Sequence, residues 1–469
     1  MRLGYGTNGF ANHRLDDALA IIADLGYTSV ALTLDHQHLD PYAADLAAQV
    51  AAVGRRLAEL DLRLVIETGA RYLLDPRHKH QPTLLSDDRG PRVDFLRRAL
   101  RIAADLGADC VSFWSGVTPA GLAPDEAWRR LRAGVAEVLP LAGELGMPLG
   151  LEPEPGMLVE RLGDALRLRA ELGDPAQLGI TLDVGHCVAI EPDGVAGCLR
   201  QAAGLLVNVQ LDDMVTGVHE HLEFGTGELD LPACLATLAE IGYTGVAAVE
   251  LPRHSHAAPE VARSSFEALQ AALPWTVRAE AAIRREPTAI GELFPAAGRE
   301  VGRRPLDPEG DPAGLIAGTE DDRARSRLVA VLVEAAPDQA AAELAELYRY
   351  GDDAERRGVL RGLSVLTDPS EAVVEAGRAL VQDALRANDT RLVAAAMGPF
   401  AGAWLDQHAW RHGVLKCLFT GVPLAAVAAL DERRDAELIR MVAGLAEERA
   451  AAGRTVPDDA IALLQKENA

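Results

Sequence analysis

The chain of 469 residues is too long for one ordinary core, so two or three domains are expected. It is 49% hydrophobic but only 4% aromatic, so alanine, leucine and valine fill the interior, which favours helix-rich packing over an all-β sandwich. Its 70 acidic against 46 basic side chains give a formal charge of −24, which repels phosphate backbones and argues against a nucleic-acid partner. Cys110, Cys187, Cys198, Cys234 and Cys417 form no CxxC pair and lie mostly in apolar runs, as in a reduced, cytoplasmic protein. No segment reaches the ~20 apolar residues of a membrane span, and no signal-peptide stretch opens the chain.

In chain order, short β-prone runs at 3–7, 28–34, 62–67, 110–114, 147–152, 179–183, 205–210 and 245–250 alternate with amphipathic stretches such as 14–25, 42–60, 91–106, 124–145 and 230–241. Several helical runs close on Leu-Gly or Ile-Gly, at Gly26, Gly107, Gly146, Gly173 and Gly242, where glycine accepts the positive φ that often ends a helix. Eight such units in residues 1–275 predict an α/β fold, a (β/α)8 TIM barrel. The first turn, Gly4 to Gly9, lacks the GxGxxG spacing of a doubly wound nucleotide fold. Residues 276–320, rich in proline and glycine, read as a linker or docking segment. Residues 321–469 read as an all-α domain, with helices at 322–335, 338–350, 352–366, 370–387, 390–397, 402–419, 423–429 and 431–451.

Groups at the C-terminal ends of barrel strands converge on one site, so polar residues there are candidates for chemistry. Apolar strands end here in Glu67, Glu152, Asp183, Gln210 and Glu250. Several buried carboxylates facing one another repel unless a cation lies between them, so Glu152, Asp183, Gln210 and Glu250 are candidate metal ligands. The competing reading pairs each acid with an arginine or a helix N-terminus. His186 follows Asp183 by three residues, and His219 and His221 alternate, so in extended backbone both rings point to one side; all three are further candidate ligands. The insertion from Thr68 to Gly90 carries Arg71, Arg77, His78, Lys79, His80 and Arg89, which suit either an anionic substrate group or a merely solvated loop, and Trp114 supplies a stacking wall or packing.

These residues resemble the xylose isomerase-like TIM barrels, a family of sugar phosphate isomerases, epimerases and endonuclease IV-type enzymes. The resemblance rests on Gly150-Leu151-Glu152-Pro153, on Thr181 to His186, on Gln210 to Asp213 with Val218 to Glu228, and on Val249-Glu250-Leu251. It implies a Glu, Asp, His, Glu metal set; Glu152, Asp183 and Glu250 match, whereas Gln210 replaces the histidine. A neutral, hard amide oxygen favours Mn2+ or Mg2+ as the divalent ion, with Zn2+ the alternative. The implied activity is isomerisation or epimerisation of a small anionic sugar or polyol-type hydroxycarbonyl, with Glu152 and Glu250 moving a proton through an enediolate; Glu67, Arg71, Lys79, His80 and Trp114 are the candidates to bind its substrate. Phosphoester hydrolysis and a degenerate metabolite-binding scaffold are the alternatives. The tail resembles EboA domains at Trp404, Gln407 to Trp410, Val414 to Phe419 and Gly421 to Leu424. That resemblance implies specialised metabolism and a protein partner on the helical domain.

Overall fold

A computed structural model describes residues 1–465 and divides the chain into two compact units, Met1–Pro274 and Trp275 onward. In the first, eight parallel strands close a barrel: β1 (Arg2–Gly6), β2 (Ser29–Thr33), β3 (Arg63–Glu67), β4 (Val111–Trp114), β5 (Leu149–Glu152), β6 (Leu178–Asp183), β7 (Leu206–Leu211) and, after a hairpin of β8 (Asp213–Val215) and β9 (Val218–Leu222), β10 (Val246–Val249). β1 pairs with both β2 and β10, which closes the ring. The strands are short apolar runs buried on both faces, as parallel strands covered by helices must be.

Helices Leu15–Asp24, Leu46–Glu59, Gly90–Leu106, Pro124–Leu145, Leu162–Glu171, Val184–Ile190, Gly194–Ala202, Leu231–Glu240 and Ala258–Ala272 follow or connect the strands. Gly107 and Gly146 end their helices at φ 66° and 61°, so the Leu-Gly junctions seen in the sequence are left-handed caps. The barrel axis is filled by small side chains. Ala31, Val65, Cys110, Val246 and Ala248 cluster there with Val207, and a Cβ on Gly179 would stand 2.5 Å from Val207 Cγ1.

The second unit is helical. Residues 276–320, read above as a linker, hold helices Trp275–Arg285 and Ile290–Glu300, whose Ala279, Ile283, Ile290, Phe294 and Ala297 are buried in this unit's core. Apolar spacing thus overrides the prolines: Pro287 starts a turn, and Pro295 is tolerated inside a helix. The remaining segment 302–319 is pinned by Asp311, which accepts from the amides of Leu315, Ile316 and Ala317 at 2.7–2.8 Å.

Helices Glu320–Ala335, Pro337–Tyr350, Asp353–Leu363, Glu371–Ala384 and Thr390–Ala396 lie where the sequence periodicity placed them. The expected helix 402–419 is instead Pro399–Trp404 and Gln407–Thr420, because Asp406 caps a new start by accepting from the Ala409 amide at 2.8 Å. The expected helix 423–429 is only a short turn at Leu424–Ala426. Asp321 and Arg325 pair inside this unit with both side chains fully buried, and Arg357 Nε donates to Asp322 at 2.8 Å. Among the described residues no helix is long and apolar enough to cross a membrane.

Candidate metal centre

The C-terminal ends of the barrel strands open into a cavity of about 390 Å³ whose wall includes Glu67, Trp114, Glu152, Gln210, Glu250 and the histidines of the hairpin. Glu152 ends β5, Gln210 lies near the end of β7, and Glu250 follows β10; all three face this space because each is in phase with the inward side of its strand. Asp183 ends β6 and caps the next helix. Its Oδ1 accepts from the amides of Gly185 at 2.7 Å and His186 at 3.1 Å, while its Oδ2 is buried with no hydrogen-bond partner. Gln210 Oε1 and Glu250 Oε2 are likewise buried and unpartnered.

Three buried oxygens without hydrogen-bond partners on neighbouring strands are an unstable arrangement. No arginine or lysine within ion-pair distance neutralises Glu152, Asp183 or Glu250 among the described residues. Burial pushes the Glu152 carboxyl well up, and the nearby Glu250 adds to it. Glu250 is raised by burial, against the pull of His221. Asp183 is held below the usual carboxylate range in spite of its burial, because His186 and His221 stand beside it. Glu152, Asp183 and His186 offer ligand atoms within 4.8 Å of one another, close enough to share a divalent cation, while Gln210 and Glu250 bring unpartnered oxygens to the cavity at the same strand ends.

The histidines make a second cluster. Candidate ligand atoms of His186, His219 and His221 all lie within 4.8 Å of one another, as do those of Glu152, Asp183 and His186. His186 Nδ1 donates to the Pro153 carbonyl at 3.0 Å, leaving Nε2 with its lone pair 3.2 Å from His219 Nε2. Burial holds the His186 imidazolium down to about 4. His219 and His221 sit on β9, and both line the cavity, while Glu220 between them turns outward to pair with Arg253 at 3.1 Å.

Several cavity residues were not singled out in the sequence. Asp212, fully buried between β7 and β8, lies 2.7 Å from His221 Nδ1, and this carboxylate keeps His221 protonated up to about 10 although burial works the other way. Asp212, Asp183 and His221 form a third group of candidate ligands. Asn8 donates to Glu250 Oε1 at 2.9 Å, and Asn208 donates to Glu67 Oε1 at the same distance. Glu154 also lines the cavity, its carboxyl pushed up to about 8 by burial and by Glu250.

The cationic insertion reaches the same space through Arg71, Lys79 and His80. Arg71 donates to the Pro252 carbonyl at 3.3 Å, and the His80 ring meets Trp114 edge-on at 5.4 Å. His408 and His412, four apart in the second unit, stand edge to face at 4.5 Å, with no third ligand among the described residues.

Comparison with known proteins agrees with this architecture. Two curated relatives are L-ribulose-5-phosphate 3-epimerases: that of Shigella flexneri serotype 5b is 27% identical over 40% of this chain and 66% of its own length, and that of Salmonella paratyphi C is 28% identical over 42% and 73%. A solved 3-keto-D-glucoside 4-epimerase from E. coli is 18% identical, with a TM-score of 0.48, over 58% of this chain and 99% of that one. The family described as metabolite traffic protein EboA matches residues 317–465. The family described as xylose isomerase-like TIM barrel matches residues 19–272, more than half of the chain, and this protein belongs to it.

Proposed function

We propose that the barrel is a metal-dependent epimerase or isomerase of a small phosphorylated ketose or a similar anionic hydroxycarbonyl compound. The observations that carry this reading are the buried, unpartnered oxygens of Gln210 and Glu250, which line one cavity with Glu152, and the unpartnered Asp183 carboxylate oxygen, with Asp183 offering a ligand atom within 4.8 Å of those of Glu152 and His186. The sugar epimerases among the relatives support the same reaction class.

A divalent cation, Mn2+ or Mg2+ by the hardness of the donors, would be held by Glu152, Asp183, Gln210 and Glu250 and would acidify the carbon next to the substrate carbonyl. Glu152 and Glu250 take and return the proton at that carbon; Glu152 is buried, Glu250 is half-buried, and both line the cavity. Asn8 fixes Oε1 of Glu250 and leaves Oε2 without a partner. Glu67, oriented by Asn208, and Trp114 bind the sugar, while Arg71, Lys79 and His80 meet its anionic group.

Glu152→Gln and Glu250→Gln each retain shape and lose the base. Each variant is expected to lower solvent-deuterium exchange into a ketose phosphate by at least about a hundredfold; exchange at the wild-type rate overturns the assignment.

The three-histidine cluster favours a second reading, hydrolysis of a phosphoester at a Zn2+ centre that includes His186, His219 and His221. Two or more zinc ions per chain, measured by elemental analysis, would select it over the epimerase. The helical unit, matched to a metabolite traffic family, is read as a docking module for a protein partner within specialised metabolism.

A further inference from the structure

Arg92 is an anomaly in this barrel. It begins the helix Gly90–Leu106, is only 3% exposed, and no carboxylate lies within ion-pair distance of it among the described residues. Its guanidinium donates instead to three carbonyls of one loop: Nε to Pro82 at 3.0 Å, Nη1 to Thr68 at 3.2 Å and Nη2 to His80 at 2.9 Å. Its plane also rests on the Trp114 ring, 4.6 Å from the centroid. A buried charge held by peptide dipoles and aromatic faces, with no carboxylate, is costly, so its geometry is informative. The loop it grips is cinched again where the His80 amide donates to the Arg71 carbonyl at 2.6 Å and the His80 ring meets the Gly69 carbonyl at 2.7 Å. Arg71, Lys79 and His80, which reach the cavity, all lie on the span enclosed by these contacts.

We propose that Arg92 is a positioning residue: its planar fork holds the neck of the 68–82 loop so that Arg71 and Lys79 present a preformed site for the phosphate of the substrate. Only the identity of the sugar rests on the epimerase reading; the anion site does not. Lysine at position 92 keeps the charge but offers no fork that spans three carbonyls, so Arg92→Lys and Arg92→Gln are expected to behave alike.

The test uses the full chain and inorganic phosphate as probe, with hydrogen exchange of the loop amides. In both variants exchange within 69–81 rises, and phosphate affinity falls by about tenfold. Lys79→Ala weakens phosphate binding by about tenfold in the wild-type background but by less than about threefold beside Arg92→Gln, because a loosened loop no longer aims Lys79. Unchanged loop exchange, full recovery of phosphate affinity by Arg92→Lys, equal cost of Lys79→Ala in both backgrounds, or a wild-type protein that binds no phosphate each overturns the proposal. A wild-type protein that binds phosphate yet exchanges no proton in any ketose phosphate defeats the epimerase reading and leaves these measurements to decide Arg92.

Discussion

At the scale of single residues, Gln210 and Asp212 would set the character of the proposed metal centre. Gln210 offers a neutral oxygen where an imidazole would bind soft and borderline ions more tightly. Gln210→His is therefore expected to raise affinity for Zn2+ relative to Mn2+ by about tenfold or more, read by chelator competition. Unchanged selectivity would remove Gln210 from the ligand set. Asp212 Oδ2 lies 2.7 Å from His221 Nδ1, where a carboxylate can orient that ring. Asp212→Asn should weaken metal binding by about ten- to a hundredfold while the melting temperature changes little; a normal affinity would show that His221 needs no such support.

Sequence made the strand-end acids legible because an acid after three or four apolar residues has few places to go. Asp212 was hidden by its neighbour. Asp212 and Asp213 are adjacent acids, and only the fold separates the one that meets His221 from the one that accepts from the amides of Gly225, Gly227 and Leu229. Asn8 and Asn208 were equally hidden, since their hydrogen-bond partners lie 242 and 141 residues away.

At the scale of elements, repeated strand and helix periods read well, whereas segment 276–320 did not. Its prolines and glycines pointed to a linker, yet Ile283, Ile290 and Phe294 recur with apolar spacing and are buried. Close helix contacts in the same unit are more exacting. Gly362, on helix Asp353–Leu363, faces Val329 so tightly that an added Cβ would lie 2.6 Å from the Val329 Cβ. Gly362→Ala should therefore destabilise the helical unit by ~1–3 kcal/mol, since neither backbone can retreat without disturbing its neighbours. Thermal unfolding followed by helical circular dichroism reads this out, and an unchanged transition would mean that the two helices can slide apart freely.

At the scale of the whole molecule, two units with separate cores should respond to different stresses. Asp321 is fully buried against Arg325; burial alone would raise its carboxyl, but Thr319 and the arginine outweigh that and hold it down. The unfolded chain therefore binds this proton more readily than the folded one. The resulting stability is fully present above the ordinary carboxylate value of about 4 and is lost as pH falls through the lower folded value. Calorimetry between about pH 5 and pH 2 should show the helical transition dropping, with a smaller drop in Asp321→Asn. An equal drop in the variant would assign the acid sensitivity elsewhere.

The hairpin β8–β9 has a further consequence. Two of the three clustered imidazoles are delivered by a ribbon that leaves the barrel after β7 and returns before β10, the segment after it tied to its base by Asp213. Because the ribbon is not a stave of the ring, its side chains can be exchanged without recutting the wall. The same enclosure could thus be refitted for another chemistry by editing a dozen residues of one appendage, leaving the acids on the staves untouched.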